Sequence, residues 1–205
     1  MAVEGVVHII DDDDAVRESI SFLLGTAQIL VHTHQTASAF LRELPALSPA
    51  CIVSDIRMPE LSGMDLLKRL SERGTKIPMI VITGHGDVPL AVEAMKLGAV
   101  DFIEKPFEDE RLLSAVRLAL SGRRDRGHGE IAKLIALLSE RERQVLEELV
   151  AGRPNKVIAF DLGISARTVE IYRANVMTKM QAGSLADLVR MSLLAGISPI
   201  SDRKY

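Results

Sequence analysis

At 205 residues, with 47% hydrophobic and 26% charged side chains, the chain has the composition of one or two ordinary globular domains rather than a fibrous or disordered protein. One cysteine excludes an internal disulfide framework, no apolar run approaches the roughly 20 residues of a membrane span, and no signal region opens the chain, so a reducing, cytoplasmic setting is expected. The net charge of −3 hides an asymmetry: residues 1–122 carry −7 and residues 123–205 carry +4, which predicts two domains, the basic one suited to meeting phosphate.

Val6 to Ile10 reads as a buried strand that stops at Asp11-Asp12-Asp13-Asp14, and Val16, Ile20, Leu23, Leu24 and Ala27 then recur at helical spacing. Ile29 to His34 is a second, weaker strand, and Ser38 to Leu44 a short helix. Cys51 to Val53 predicts a third buried strand running out at Asp55, before Ile56-Arg57-Met58-Pro59. A helix follows over Gly63 to Arg73, with Gly74 as its C-terminal cap. Pro78 to Thr83 is a fourth strand, the turn Gly84-His85-Gly86-Asp87 opens a helix ending near Gly98, Val100 to Ile103 is a fifth strand, and a last helix covers about Glu108 to Leu120. Five strands this apolar, alternating with helices, predict an α/β domain: a flavodoxin-like, doubly wound parallel five-stranded sheet.

Residues 122–137 are expected to be a linker with an amphipathic helix, since SGRRDRGHG has no large apolar side chain and Ile131, Leu134, Ile135 and Leu138 then follow at helical spacing. Ser139 with Glu142 forms a capping-box pattern. Asn155, Ser165 and Ser184 are expected to cap three further helices, which makes residues 138–205 a small all-α four-helix module.

In a parallel sheet, Asp11, Asp12, Asp55, Thr83 and Lys105 all fall at carboxyl ends of strands and can converge. Three carboxylates around one point call for a hard divalent cation such as Mg2+, and with a hydroxyl and an ammonium they suit phosphoryl transfer to an aspartate. A metal-dependent phosphohydrolase of the haloacid-dehalogenase kind would use the same set, but it needs a general acid two residues after the nucleophile, where this chain has Arg57. His8 and His85 are assigned no role. In the basic half, two helices joined across Gly163-Ile164-Ser165 fit a helix-turn-helix whose second helix, Ala166 to Met180, enters the major groove. Val169, Tyr172, Val176 and Met180 form its core stripe; Arg167, Glu170, Ile171, Arg173 and Ala174 fall outward, and Lys156 and Lys179 are placed to reach phosphates.

Residues 3–121, through the Asp11-Asp12 pair, the Asp55-Ile56-Arg57-Met58-Pro59 loop, the Thr83-Gly84-His85-Gly86 turn and Lys105-Pro106-Phe107, resemble the receiver domain of two-component response regulators. That resemblance implies phosphorylation of Asp55 by a sensor histidine kinase, with Asp11, Asp12, Asp55 and the Arg57 carbonyl holding Mg2+. It also implies a phosphoryl site at Thr83 and Lys105, a cis bond at Lys105-Pro106, and Phe102 as the switch aromatic. Residues 138–195 are similar to the LuxR-type DNA-binding domain, carrying Leu138, Glu142, Gly152, Asn155-Lys156, Ile158-Ala159, Ile164-Ser165, Thr168-Val169 and Lys179, while departing from it at Pro154, Glu170 and Tyr172. The DNA-contact candidates are then Asn155, Lys156, Arg167, Thr168, Glu170, Ile171, Arg173, Ala174 and Lys179. Together the two resemblances imply a transcriptional activator, not an enzyme beyond its own phosphoryl transfer and hydrolysis. Its expected partners are promoter DNA, RNA polymerase and, when phosphorylated, a second copy of the chain through Val92 and Lys96. Read from end to end, and above all over Thr83–Phe102 and Arg167–Met180, the chain resembles a family of transcriptional activators of nitrogen-fixation and microaerobic circuits, which implies that setting.

Overall fold

The computed structural model describes residues 5–44, 49–84, 88–121 and 128–197, and divides them between two compact units. Most of the Gly84–Asp87 turn and the first part of the expected linker lie outside the described residues. Among the described residues, the first unit holds residues 5–44, 49–84 and 97–121, and the second holds residues 88–96 and 128–197.

The first unit contains β1 (Val6–Ile10), α1 (Asp14–Thr26), β2 (Leu30–His34), α2 (Ala37–Glu43), β3 (Pro49–Asp55), α3 (Gly63–Glu72), β4 (Met79–Thr83), β5 (Asp101–Glu104) and α5 (Asp109–Leu120). The strands form one parallel sheet ordered β2-β1-β3-β4-β5, the flavodoxin-like winding expected from the sequence. The order reverses between β1 and β3, so the carboxyl ends of those two strands flank the crevice where such sheets place their chemistry. β4 is buried throughout, whereas β2 is an edge strand with Leu30 68% exposed, which is why its hydrophobic signal is weak. Val7, Ile9, Cys51, Val53, Ile80, Ile82 and Ile103 pack against Ile20, Leu24, Leu112 and Val116 of α1 and α5. Burial pushes the Cys51 thiol up to about 12, which makes it an inert core residue, as its place in the strand suggests.

The other face of β1 and β2 carries a pair of buried histidines. His8 Nδ1 lies 2.8 Å from His34 Nε2, the two rings stack, and Phe40 of α2 packs against both. Glu43 Oε2 is 3.7 Å from His34 Nδ1, and His32 lies beside His8. Burial, then the proximity of His34 and His32, pushes His8 down to about 4 against a weak opposing pull from Glu43; burial also lowers His34. A folded-state value below the ordinary 6.5 means that the unfolded chain binds more protons as pH falls from about 6.5 to about 4. Stability from this pair is therefore complete above pH 6.5 and is lost across that window. The His8→Leu/His34→Leu variant should lose less stability than wild type between about pH 7.5 and about pH 4.5 in denaturant titrations; equal losses would contradict the assignment.

The second unit gathers α4 (Val88–Lys96), α6 (His128–Ile135), α7 (Glu140–Val150), α8 (Asn155–Leu162), α9 (Ala166–Met180) and α10 (Leu185–Leu194). Its core is Ile131, Val145, Leu146, Leu149, Ile158, Val169, Val176, Met180, Leu188 and Met191, with Val88 packed against it. The four-helix module expected from the sequence is thus joined by a helix that the sequence assigns to the first domain. Gly163 ends α8 in the left-handed conformation (φ 65°), making the turn into Ser165, which caps α9 by accepting from the Thr168 N–H. The cap of α8 differs from expectation. Pro154, with its fixed φ of −61°, holds the N-cap position, and Asn155 is the first helical residue.

Ser139 and Glu142 form the capping box that opens α7, and Glu142, only 4% exposed, also accepts from Lys179 Nζ of α9 at 2.7 Å. The Lys179 hydrogen bond, with that from the Ser139 N–H, holds the Glu142 carboxyl below the usual carboxylate range. Lys179→Met would leave a buried carboxylate short of its cation, a loss of about 1–3 kcal/mol in urea unfolding of this unit. A loss within the roughly 0.5 kcal/mol typical of exposed pairs would show that the contact carries no structural weight.

Candidate functional site

The four aspartates of the acidic run after β1 differ in what they do. Asp11 is 4% exposed, and its Oδ1 accepts from the Asp13 N–H at 3.0 Å. Asp13 caps α1 through the N–H groups of Ala15 and Val16, so it is a helix cap rather than a ligand. Asp14 pairs with Arg17, whose guanidinium also donates to the Asp11 carbonyl at 2.6 Å. Asp12 stands exposed.

Across the crevice, Asp55 ends β3 and is 8% exposed. Its Oδ2 accepts from the Arg57 N–H at 2.5 Å, which fixes one oxygen against the loop. Its Oδ1 accepts from Lys105 Nζ at 2.8 Å, and the same ammonium reaches Asp11 Oδ2 at 2.9 Å. Lys105 directly follows β5 and is joined to Pro106 by a cis bond, and its backbone N–H donates to the Thr83 carbonyl at 2.7 Å. Burial lowers the Lys105 ammonium, but the hydrogen bonds from Asp55 and Asp11 outweigh it and hold the group above the ordinary lysine value. The site therefore sets one ammonium against two buried acidic side chains.

Asp11 and Asp55 thus present hard oxygen donors near enough to share one cation, which fits the donor chemistry that Mg2+ prefers. Among the described residues no group of three histidine, cysteine or acidic side chains is drawn together tightly enough to hold a metal ion, and Asp12 remains outside the pair. Thr83 ends β4 fully buried beside this crevice, whereas Phe102 on β5 is half-buried.

Several residues that hold the site in shape carry no sequence motif. A Cβ at Gly63 would collide with the Asp55 backbone carbonyl, so only glycine lets α3 start where the loop needs it. The Gly63 N–H also donates to the Ile56 carbonyl at 3.0 Å, while Ser62 and Asp65 close a capping box one step away. Arg111 of α5 makes a bidentate pair with Asp101 at 2.7 Å on each arm, bracing β5 next to Phe102. Of the residues expected to form a contact face on α4, Lys96 is exposed but Val92 is 2% exposed in the second unit, where it lies close to Gly152.

On α9, Arg167, Glu170, Ile171 and Ala174 are all exposed, whereas Val169, Val176 and Met180 are buried. Lys156 is exposed at the start of α8. Thr168 is spent on the cap, its hydroxyl 2.8 Å from that of Ser165. Arg173 is partly buried and donates to Asn155 Oδ1 at 3.0 Å, which ties α9 to the first turn of α8. Lys179, expected from sequence to reach phosphate, is turned to Glu142 instead.

These features agree with comparisons to known proteins. Residues 7–117 match the response regulator receiver domain, and residues 136–192 match the bacterial regulatory proteins of the luxR family. The chain is 60% identical over 201 residues to the transcriptional regulatory protein FixJ of Azorhizobium caulinodans, covering 96% of this chain and 95% of that one. It is 52% identical over 198 residues to FixJ of Rhizobium meliloti, covering 94% and 97%. The crystal structure of full-length FixJ from B. japonicum, 53% identical, aligns over 95% of this chain and 98% of that one with a TM-score of 0.52. Both domain matches, with 60% identity over nearly the full length of each chain, show that this chain belongs to the FixJ-type two-component response regulators, which join a receiver domain to a luxR-family DNA-binding domain.

Proposed function

We propose that Asp55 is the phosphoacceptor of a switch that turns on DNA binding and transcription. The reading rests on Lys105, whose ammonium lies within hydrogen-bond distance of both Asp55 and Asp11. In the transfer, an Asp55 carboxylate oxygen attacks the phosphorus of a phosphohistidine on a FixL-like sensor histidine kinase. The P–N bond breaks as the acyl phosphate forms, and the kinase imidazole leaves. Asp11, Asp12, Asp55 and the Arg57 carbonyl would hold Mg2+, which when bound offsets charge on the phosphoryl oxygens. Thr83 and Lys105 bind the product phosphoryl group. The protein catalyses nothing beyond its own phosphorylation and hydrolysis.

Adding a phosphoryl group to Asp55 leaves Lys105 with a stronger partner than Asp11, which draws Lys105 and the carboxyl end of β4 inward. Phe102 repacks, and α4 is freed to present Val92 and Lys96 to a second copy. Because Val92 is buried in the second unit, dimerisation through it requires α4 to leave its present packing. A bias of a few kcal/mol suffices for such a change. The dimer then sets two recognition helices on paired half-sites of promoter DNA, where the protein acts with RNA polymerase as an activator in nitrogen-fixation or microaerobic gene control.

The test is mass in solution and DNA binding with and without a small phosphoryl donor and Mg2+, on wild type and Asp55→Asn. Donor-dependent dimerisation and tighter binding, both lost in Asp55→Asn, are expected. Equal DNA binding in all conditions would overturn the phosphorylation control, and no DNA binding in any condition would overturn the DNA-reading function.

A further inference from the structure

On α9 the exposed residues Arg167, Glu170, Ile171 and Ala174 recur at i, i+3, i+4 and i+7, so they form one stripe on the face away from the buried Val169, Val176 and Met180. That stripe occupies the N-terminal two-thirds of the helix, the part that a helix-turn-helix lays against base edges. Two of its members are wrong for the phosphate backbone. Ile171 is 55% exposed, a large apolar side chain with charged neighbours on the same face. Glu170 carries a negative charge that phosphates repel. Neither adds to non-specific affinity, so on a helix laid in the groove the two would act on base edges.

The major groove offers one apolar group, the C5 methyl of thymine, and its donors to a carboxylate include the N4 amino group of cytosine. Arg167 and Arg173 flank Glu170 at i−3 and i+3, and Arg173 bonds Asn155 of α8 while still feeling the Glu170 charge; Glu170 itself is exposed on the stripe, where its carboxylate oxygens can accept. We propose that Ile171 and Glu170 set the base preference of this protein: Ile171 packs on a thymine methyl, and Glu170 accepts from a cytosine amino group at a neighbouring pair. This assignment rests on the DNA-reading function proposed above and names what that helix reads.

The test uses the full chain with a small phosphoryl donor and Mg2+, and duplexes enriched by it from a randomised pool. Each thymine of the enriched site is then replaced by uracil, which removes only the methyl group. One such replacement per half-site removes two methyl groups and should weaken wild type about fifteenfold, about fourfold for each buried methyl group, and should have no effect on Ile171→Ala. Enrichment repeated with Glu170→Ala should lose a cytosine that wild type selects. Equal uracil effects in wild type and Ile171→Ala, or a cytosine preference that survives Glu170→Ala, would overturn the assignment while leaving DNA reading intact. Failure of wild type to bind any duplex would overturn the DNA-reading function and this inference with it.

Discussion

The Lys105 ammonium between Asp55 and Asp11 is the contact on which the rest of the receiver depends. Two carboxylates this close and this buried repel each other unless a cation lies between them. Lysine supplies that cation from the far strand, so the charge balance of the pocket ties β1, β3 and β5 to one point. The same arrangement makes the pocket sensitive to a change of charge at Asp55. A group that already bridges two acids must redistribute when one of them gains a phosphoryl group, and its backbone is bonded directly to the end of β4.

Around this point the protein spends residues on holding backbone in place. Gly63 lets α3 approach the Asp55 carbonyl, Asp13 and Ser62 start the helices that follow the two acidic strands, and Arg111 braces β5 through Asp101. The basic half follows the same logic with different parts. There, Glu142 joins the capping box of α7 to Lys179 of α9, and Asn155 joins α8 to Arg173, so α9 is fixed from both sides. Fixing α9 holds its exposed stripe in one orientation, because a helix free to roll would average its contacts away.

Much of this was legible in the sequence, for identifiable reasons. Buried parallel strands announce themselves as apolar runs, so β1, β3 and β4 were readable with their carboxyl-end acids and hydroxyl; β2, an exposed edge, was readable only weakly. The convergence of Asp11, Asp55 and Lys105 followed from strand ends sharing one edge. What stayed hidden depends on contacts between distant side chains. A lysine in the last turn of a helix reads as a phosphate contact until Glu142, 37 residues earlier, is seen to hold it. Asn155 reads as a cap because asparagine favours that place, yet Pro154 before it takes the position by its fixed φ. His8 and His34 are 26 residues apart and form a buried pair only once β1 and β2 are aligned. Val92 reads as surface, but α4 belongs to the core of the second unit.

The most direct test of the central claim is to locate the acyl phosphate. Borohydride reduces an aspartyl phosphate to homoserine, and peptide mass then identifies the residue. After treatment with a small phosphoryl donor and Mg2+, the peptide containing Asp55 should carry the reduced residue, and Lys105→Ala should change the yield but not the position. Labelling at Asp11 or Asp12, with Asp55 unmodified, would contradict the account.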